Sequence, residues 1–234
     1  DLIDAAYQGT GVFTGKKYQN FKAVASLYPE ACQIVVRKDS DIETIDDLQG
    51  KKVSVGEEES GSELNARQIL EMSGLPEDLI KTKHLDYTDA ADKLAAGKID
   101  AFFFTAGAQT TVVEELAKHC DIRLLNLDDK LRGKLTTAYP FYSDYTIPAG
   151  TYTRQEEDIQ TVCVQSILVA SDALDNATVK KLTKTIFAHQ KGLQYATSVD
   201  LQLNESSAIK GVPIPFHPGA AAYYSERGIN VKTE

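Results

Sequence analysis

Hydrophobic positions follow two different periods along the chain, and the changes between them predict alternating strands and helices. Residues 53–55 have β-branched side chains two apart, which is strand spacing, and Gly56 marks the turn that ends the strand. Apolar residues at helical spacing follow between Ala66 and Leu70, and Gly74 marks the end of that helix. The stretch therefore predicts a strand, a loop and a helix in direct succession.

The start of that helix carries a capping signal. Ser60 precedes Glu63 by three residues, so its hydroxyl can accept from the Glu63 N–H while the carboxylate accepts from the Ser60 N–H. We expect the helix to begin near Gly61, where free N–H groups and the helix dipole favour a carboxylate or phosphate. Most capped helices bind no ligand, and the glutamates at 57–59 repel an anion unless they point into solvent. The glycine spacing matches neither the Walker loop nor the dinucleotide fingerprint.

A second strand, loop and helix follow further along the chain. Residues 99–104 are mostly apolar and predict a central parallel strand. The loop from Thr105 to Thr111 then holds small and hydrogen-bonding residues and leads into a helix. Ligands of open α/β sheets lie at the carboxyl ends of strands, where both loops are expected. The two loops together therefore indicate a ligand site more strongly than either does alone.

The flanking sequence predicts further strands and one long helix. Short strands are expected at 21–25 and 34–36, and a buried one at 162–170. The long helix is capped by Asp175 or Asn176. Its stripe of apolar residues, which we expect to be buried, consists of Val179, Leu182, Ile186 and Leu193. Alternating strands and helices predict parallel α/β architecture in two lobes with a cleft between them.

Composition and charge exclude several classes of protein. The chain has 234 residues, of which 42% are hydrophobic and 25% charged, so it forms one large or two small globular domains. A net charge of -9 and a pI near 5.0 argue against nucleic acid or an anionic membrane as a partner. The three cysteines and four histidines are scattered and lack metal-ligand spacing, so no metal or cofactor is expected. The start of the chain lacks the features of a signal peptide, and no apolar run reaches the roughly 20 residues of a membrane span.

Several motifs in order resemble one family over nearly the whole chain. They are DLIDAAYQGTGVF at the start, DLQGKKVSVG leading to SGSELNARQIL, then GKIDAFFFTAG, YTIPAGTY and finally GVPIPFHPGAAAYYSERG. These motifs resemble the TAXI family of solute-binding proteins, the extracytoplasmic receptors of TRAP transporters. The resemblance implies a two-lobed, type II Venus-flytrap fold without enzymatic activity, located in the periplasm or outside the cytoplasm. It further implies that the lobes capture a small carboxylate, such as glutamate or 2-oxoglutarate, for delivery to TRAP membrane subunits.

The resemblance also assigns lobes and candidate ligand residues. Residues 1–50 with 154–234 are expected to form the first lobe, whose N-terminal part the family would place before Asp1, and 51–153 the second. The residues that match the family's ligand segments are Ser60, Gly61, Ser62, Thr105, Ala106 and Gly107, with Gln109 and Tyr7 as weaker candidates. Family members usually have Gly where Glu59 stands and Thr where Ser62 stands, so Glu59 adds bulk and charge to the expected site.

Two other classes share such a scaffold. An enzyme would need a nucleophile with a base, a metal cluster or a cofactor lysine, and the sequence has no G-x-S-x-G elbow or ligand cluster. A ligand-sensing regulatory domain should accompany a helix-turn-helix, which this sequence does not contain. The sequence upstream of Asp1 would separate the receptor from the regulator, because one carries an export signal and the other a DNA-binding segment.

Overall fold

The computed structural model describes residues 1–197, 199, 201 and 203–234. These residues form two compact units, a terminal unit (residues 1–29 and 165–234) and a central unit (residues 30–164). The chain passes between the units at 29/30 and 164/165, whereas the predicted lobes divide at 50/51 and 153/154. The difference arises because each crossing lies inside a long strand rather than in a loop.

The helices and strands alternate through most of the chain. The helices are α1 (Leu2–Gln8), α2 (Gly61–Ser73), α3 (Tyr87–Ala95), α4 (Thr111–His119), α5 (Asp129–Ala138), α6 (Asn176–Ala188), α7 (Gln190–Tyr195) and α8 (Pro218–Ser225). The strands are β1 (Phe21–Arg37), β2 (Lys52–Ser54), β3 (Lys81–Lys83), β4 (Ala101–Ala106), β5 (Ile122–Leu124), β6 (Ser143–Ile147) and β7 (Ile159–Ser171). None of the helices in the described ranges has the length and apolar content to cross a bilayer.

A mixed sheet organises the central unit. The strand order is β3-β2-β4-β1-β7-β6, and β5 also pairs with β1. β2 runs parallel to β3 and to β4, while β1 runs antiparallel to β4. The predicted strand at 99–104 is therefore present with shifted limits. The expectation of parallel architecture is confirmed for β2, β3 and β4 and is wrong for β1, which runs antiparallel to β4 and β5. An antiparallel neighbour is possible because β1 reaches β4 from a different part of the chain rather than through a βαβ crossover.

The sheet of the central unit is covered on both faces. Alternate residues of the strands face opposite sides, so Ile34 and Phe103 belong to one core and Val35 and Phe102 to the other. The first core packs against α2 and α5, and the second against α3 and α4. Burial on both faces explains why the strand sequences are almost continuously apolar.

The terminal unit has its own core, and two of its elements differ from the sequence predictions. The segments predicted as separate strands at 21–25 and 34–36 are one strand, β1. Pro29 does not interrupt it, because the fixed φ of proline is compatible with a strand wherever its missing N–H is not needed for pairing with a neighbouring strand. The long predicted helix ends at Ala188, and α7 follows it. Of the predicted stripe, Leu182 and Leu193 are each 40% exposed, and the buried positions of α6 are Val179, Thr183 and Phe187.

Candidate functional site

Two helix starts meet at one edge of the central sheet. β2 and β4 are parallel neighbours, with Ser54 paired to Phe102, so their carboxyl ends lie at the same edge. β2 leads through the first loop (residues 55–60) into α2, and β4 leads through the second loop (residues 107–110) into α4. We call this edge, with both loops and both helix starts, the site edge.

The start of α2 is capped as predicted in one half of the capping box. The Ser60 hydroxyl accepts from the Glu63 N–H at 3.1 Å. The reciprocal half was wrong, because the Glu63 carboxylate accepts from the N–H of Glu59 at 2.6 Å rather than from that of Ser60. The other Glu63 oxygen accepts from Arg67 at 2.9 Å, which compensates this nearly buried charge. The first loop is thus tied to α2 at two points.

Two backbone donors remain free at this helix start. In the described part of the structure, the N–H groups of Gly61 and Ser62 have no hydrogen-bond partner, since the cap serves Glu63 and the next N–H bonds to the Ser60 carbonyl. The three glutamates at 57–59 are exposed, as an anion site would require. Among the described residues none of their carboxylates forms an ion pair, so their charge still weakens the attraction for an anion.

The first loop is held in an unusual backbone conformation. Gly56 has φ 105°, and a Cβ added there would lie 2.8 Å from the Ser62 Cβ and 3.1 Å from the Ser60 hydroxyl oxygen. Only glycine allows this approach of the strand end to the helix start. Glu59 has φ 62°, the left-handed region that glycine adopts without strain. This is the position at which the resembled family usually has glycine.

Ser62 faces into the protein and links the first helix start to β4. Its side chain belongs to a residue that is only 4% exposed, and its hydroxyl accepts from the Thr105 N–H at 3.0 Å. The Ser62 hydroxyl also bonds to the Tyr87 hydroxyl at 2.9 Å, and Tyr87 donates to the Thr105 carbonyl at 3.2 Å. The side-chain contact of Ser62 with a solute stays a prediction, because the hydroxyl already has two protein partners.

The start of α4 is supported by a distant tyrosine. No side chain caps this helix, but the Tyr152 hydroxyl accepts from the N–H groups of Gln109 at 3.0 Å and Thr110 at 3.3 Å. The same hydroxyl donates to the Gln33 side-chain carbonyl at 2.8 Å. Tyr152 and Gln33 are each 2% exposed, so this support is buried. The N–H groups of Thr111 and Val112 have no partner in the described structure and remain available.

The structure brings seven of the eight predicted ligand residues to the site edge. Those seven lie at the start of α2, at the end of β4 and in the second loop, and they are Ser60, Gly61, Ser62, Thr105, Ala106, Gly107 and Gln109. Gln109 is exposed and has φ 68°, so a left-handed residue precedes the N-cap in both loops. The eighth residue, Tyr7, lies in the terminal unit, where its ring contacts Phe21 edge to face at 6.2 Å.

The sequence does not indicate that two tyrosines, Tyr87 and Tyr152, contribute to the site edge. Tyr87 follows Asp86, the N-cap of α3, and nothing in its neighbourhood indicates that its hydroxyl reaches Ser62. Tyr152 ends the motif YTIPAGTY, which likewise gives no indication of its partners. Both bond to residues far away in sequence, so only the folded chain reveals them.

The cysteine near the site edge has an unreactive thiol. Cys32 lies opposite Thr105 in the sheet, and burial raises the pKa of its thiol to about 12, so the thiolate that would act as nucleophile is absent at neutral pH. Among the described residues, no three His, Cys, Asp or Glu side chains could together hold a metal ion. What the edge offers instead is a set of backbone donors around a charge-free second loop.

Comparison with known proteins gives one family and one shared fold. The sequence pattern of the NMT1-like family matches residues 1–228. A periplasmic binding protein of an ABC transporter from Brucella ovis, solved with glutathione bound, is 13% identical with a TM-score of 0.50 over 83% of this chain and 53% of that chain. The aliphatic sulphonate-binding protein SsuA from Escherichia coli is 17% identical with a TM-score of 0.47, over 97% of this chain and 69% of that chain.

A sulfonate-binding protein from Methylobacillus flagellatus is similar at 15% identity and a TM-score of 0.46, covering 92% of this chain and 64% of that chain. The chain thus spans 53 to 69% of the length of these three proteins. At such low identity the Brucella protein shows a common fold. The predicted fold class is confirmed: the chain has the α/β fold of periplasmic binding proteins.

Proposed function

We propose that this chain, which belongs to the NMT1-like family, is a solute-binding receptor whose site edge holds the anionic group of a small solute. The observation that carries the proposal is the pair of neighbouring helix starts with free N–H groups at Gly61, Ser62, Thr111 and Val112. Such donors are already oriented before the solute arrives, and the helix dipoles add to their attraction for negative charge.

The finer assignment rests on the motifs that resemble the TAXI family. We infer that the solute is a small carboxylate or amino acid of the glutamate or 2-oxoglutarate type, because backbone N–H groups suit a carboxylate. The same resemblance supports an extracytoplasmic location, a TRAP transporter as membrane partner, a function without catalysis and a solute contact by Tyr7. The Brucella ovis protein that shares this fold is instead named as part of an ABC transporter. An uptake assay with reconstituted membrane subunits separates the partners, since a TRAP system uses an ion gradient and an ABC importer uses ATP.

The binding proposal is tested with proline at the first position of each helix. Ser60 and Thr110 have φ/ψ of -81°/161° and -68°/140°, the extended conformation that a residue before proline prefers. Proline is also favoured at this helix position. Gly61→Pro and Thr111→Pro therefore delete one free N–H each while keeping the helices. We expect each to weaken binding by about 1.5–3 kcal/mol, roughly 10- to 150-fold, with little change in the unfolding midpoint of the ligand-free protein.

The controls are Gly61→Ala and Thr111→Ala, which change the same side chains but keep the N–H groups. Calorimetry with L-glutamate and 2-oxoglutarate, after unfolding and refolding to remove any bound solute, compares the four variants with the parent. Binding by both proline variants at parental affinity would contradict the proposal, because the N–H groups would then not contact the solute. Recovery of a chemically altered solute would contradict the assignment as a receptor.

A further inference from the structure

Three elements that meet at the site edge are joined by a closed ring of hydrogen bonds. The ring contains the hydroxyls of Ser62 on α2 and Tyr87 on α3 and the backbone of Thr105 on β4. Tyr87 gives its single proton to the Thr105 carbonyl, so Ser62 is the donor in the bond between the two hydroxyls. The Thr105 N–H donates to Ser62 and completes a cycle in which each group both donates and accepts.

The ring supplies the hydrogen bonds of β4 beyond the point where its pairing with β2 ends. The last pair in that ladder is Ser54 with Phe102, so Thr105 lies three residues beyond it. Side chains, rather than a neighbouring strand, therefore satisfy the Thr105 N–H and carbonyl. Loss of the Ser62 side chain would remove the direct link between α2 and β4, and loss of the Tyr87 hydroxyl would leave that link as a single bond, from the Thr105 N–H to Ser62.

Tyr87 is the outermost member of the ring. It is 38% exposed, whereas Ser62 is 4% exposed, so water can reach the phenol but not the serine. The Tyr87 ring packs on Phe104 at 5.6 Å between centroids with an interplanar angle of 63°, which holds the hydroxyl in position. The residue is thus fixed by packing at one end and connects two elements of the site edge at the other.

We propose that Tyr87 is a positioning residue of the solute site, an inference that rests on the proposed function. Its hydroxyl fixes the distance between the start of α2 and the end of β4. That distance sets the separation of the free donors at Gly61 and Ser62 from those of the second helix start. A solute that contacts both helix starts requires this separation to be established before binding.

The test uses Tyr87→Phe, which keeps the packing on Phe104 and removes only the hydroxyl. Tyr139→Phe is the matched control, since no hydrogen bond of the Tyr139 hydroxyl occurs in the described structure and its ring is also half-buried. Amide exchange at Thr105 is measured without solute, and binding of L-glutamate and 2-oxoglutarate is measured by calorimetry. We expect Tyr87→Phe to accelerate Thr105 exchange and to weaken binding, each by about three- to tenfold, with an unfolding midpoint near that of Tyr139→Phe.

Combining Tyr87→Phe with Ser62→Ala distinguishes a positioning role of Tyr87 from a general loss of stability. In Ser62→Ala the ring is already broken, so adding Tyr87→Phe should weaken binding little further. Unchanged Thr105 exchange in Tyr87→Phe, or an equal affinity loss in both backgrounds, would overturn the positioning role. If the parent protein binds neither probe, the proposed carboxylate receptor fails instead. The Thr105 exchange rates then still decide whether Tyr87 holds β4 against α2.

Discussion

The two helix starts of the site edge are held in place by different kinds of hydrogen bond, one local in sequence and one distant. At α2 the cap is local, because Ser60 and Glu63 are three residues apart and the loop folds back on its own helix. At α4 no side chain caps the helix, and the second loop rests on Tyr152, which is 43 residues from Gln109 in sequence. Each solution leaves the first N–H groups of its helix free.

The two helix starts also differ in the charged residues that lie beside them. The local solution places glutamates at 57–59 beside the first pair of donors. The second loop, residues 107–110, contains no charged residue, and the acidic residue in the first turn of α4, Glu114, has its carboxylate hydrogen-bonded to Thr153. A carboxylate should therefore be attracted more strongly to the start of α4, whereas the start of α2 suits a less negative part of the same solute. The first loop thus includes charged residues close to its donors, whereas the second loop, held by Tyr152, includes none.

The largest expected effect comes from breaking the first helix start at Gly56. Gly56→Ala imposes φ 105° on an L residue and places a methyl group 2.8 Å from the Ser62 Cβ. We expect it to lower the free energy of unfolding by about 3 kcal/mol, the sum of backbone strain and overpacking. Gly74→Ala is the control, since Gly74 has φ 95° and open space around its Cβ position, and should lose only about 1–2 kcal/mol. Equal losses in urea unfolding of the two variants would show that the close approach to Ser62 is unimportant.

A smaller loss is expected when the second helix start loses its support. Tyr152→Phe removes the shared partner of the partly buried N–H groups of Gln109 and Thr110 and of the buried Gln33 side-chain carbonyl. We expect about 2 kcal/mol of destabilisation, the range for unsatisfied buried groups, whereas Tyr139→Phe should be nearly neutral. Hydrogen exchange should increase mainly at residues 107–112. Parental stability of Tyr152→Phe would mean that water replaces the hydroxyl and that the second loop needs no tyrosine.

This contrast also explains how much the sequence could predict. Ser60 as N-cap, the helix start at Gly61 and the burial of Ala66 and Leu70 depend on residues within one or two turns, so the pattern predicted them correctly. The partners of Tyr152 and Tyr87 are 18 to 119 residues away, at separations where side-chain spacing carries no information. Only the topology of the sheet, which places α2, α3 and α4 around β4, brings them together.

Periodicity also fails where a helix ends unexpectedly. The pattern from Val179 to Leu193 predicts one stripe, but the helix stops at Ala188, His189 is not helical, and a new helix begins at Gln190. Leu193 then belongs to α7 and is 40% exposed, and the buried role falls to Thr183 and Phe187. Thr183 could replace a hydrophobic residue there because its hydroxyl donates to the Val179 carbonyl within the helix.

The smallest effects are expected from variants of the two left-handed residues, Glu59 and Gln109, which have φ 62° and 68°. These variants distinguish the effect of charge from that of backbone strain. Glu59→Gln removes a charge but keeps the strained backbone, Gln109→Gly relieves strain without a change in charge, and Glu59→Gly does both. Relief of about 1 kcal/mol of strain is largely offset by the greater chain entropy of glycine in the unfolded state, so both glycine variants should change stability by less than about 0.5 kcal/mol.

Affinity for L-glutamate should respond to charge instead. Both Glu59 variants should bind about twofold more tightly at low ionic strength, and the gain should disappear in about 1 M salt, because exposed charges are then screened within a few ångströms. Gln109→Gly should show no such salt-dependent gain. Calorimetry at two salt concentrations decides the matter: an affinity of Glu59→Gln equal to that of the parent at low salt would mean that the exposed glutamates do not act on the solute. The proposed preference of the carboxylate for the start of α4 would then lose its electrostatic basis.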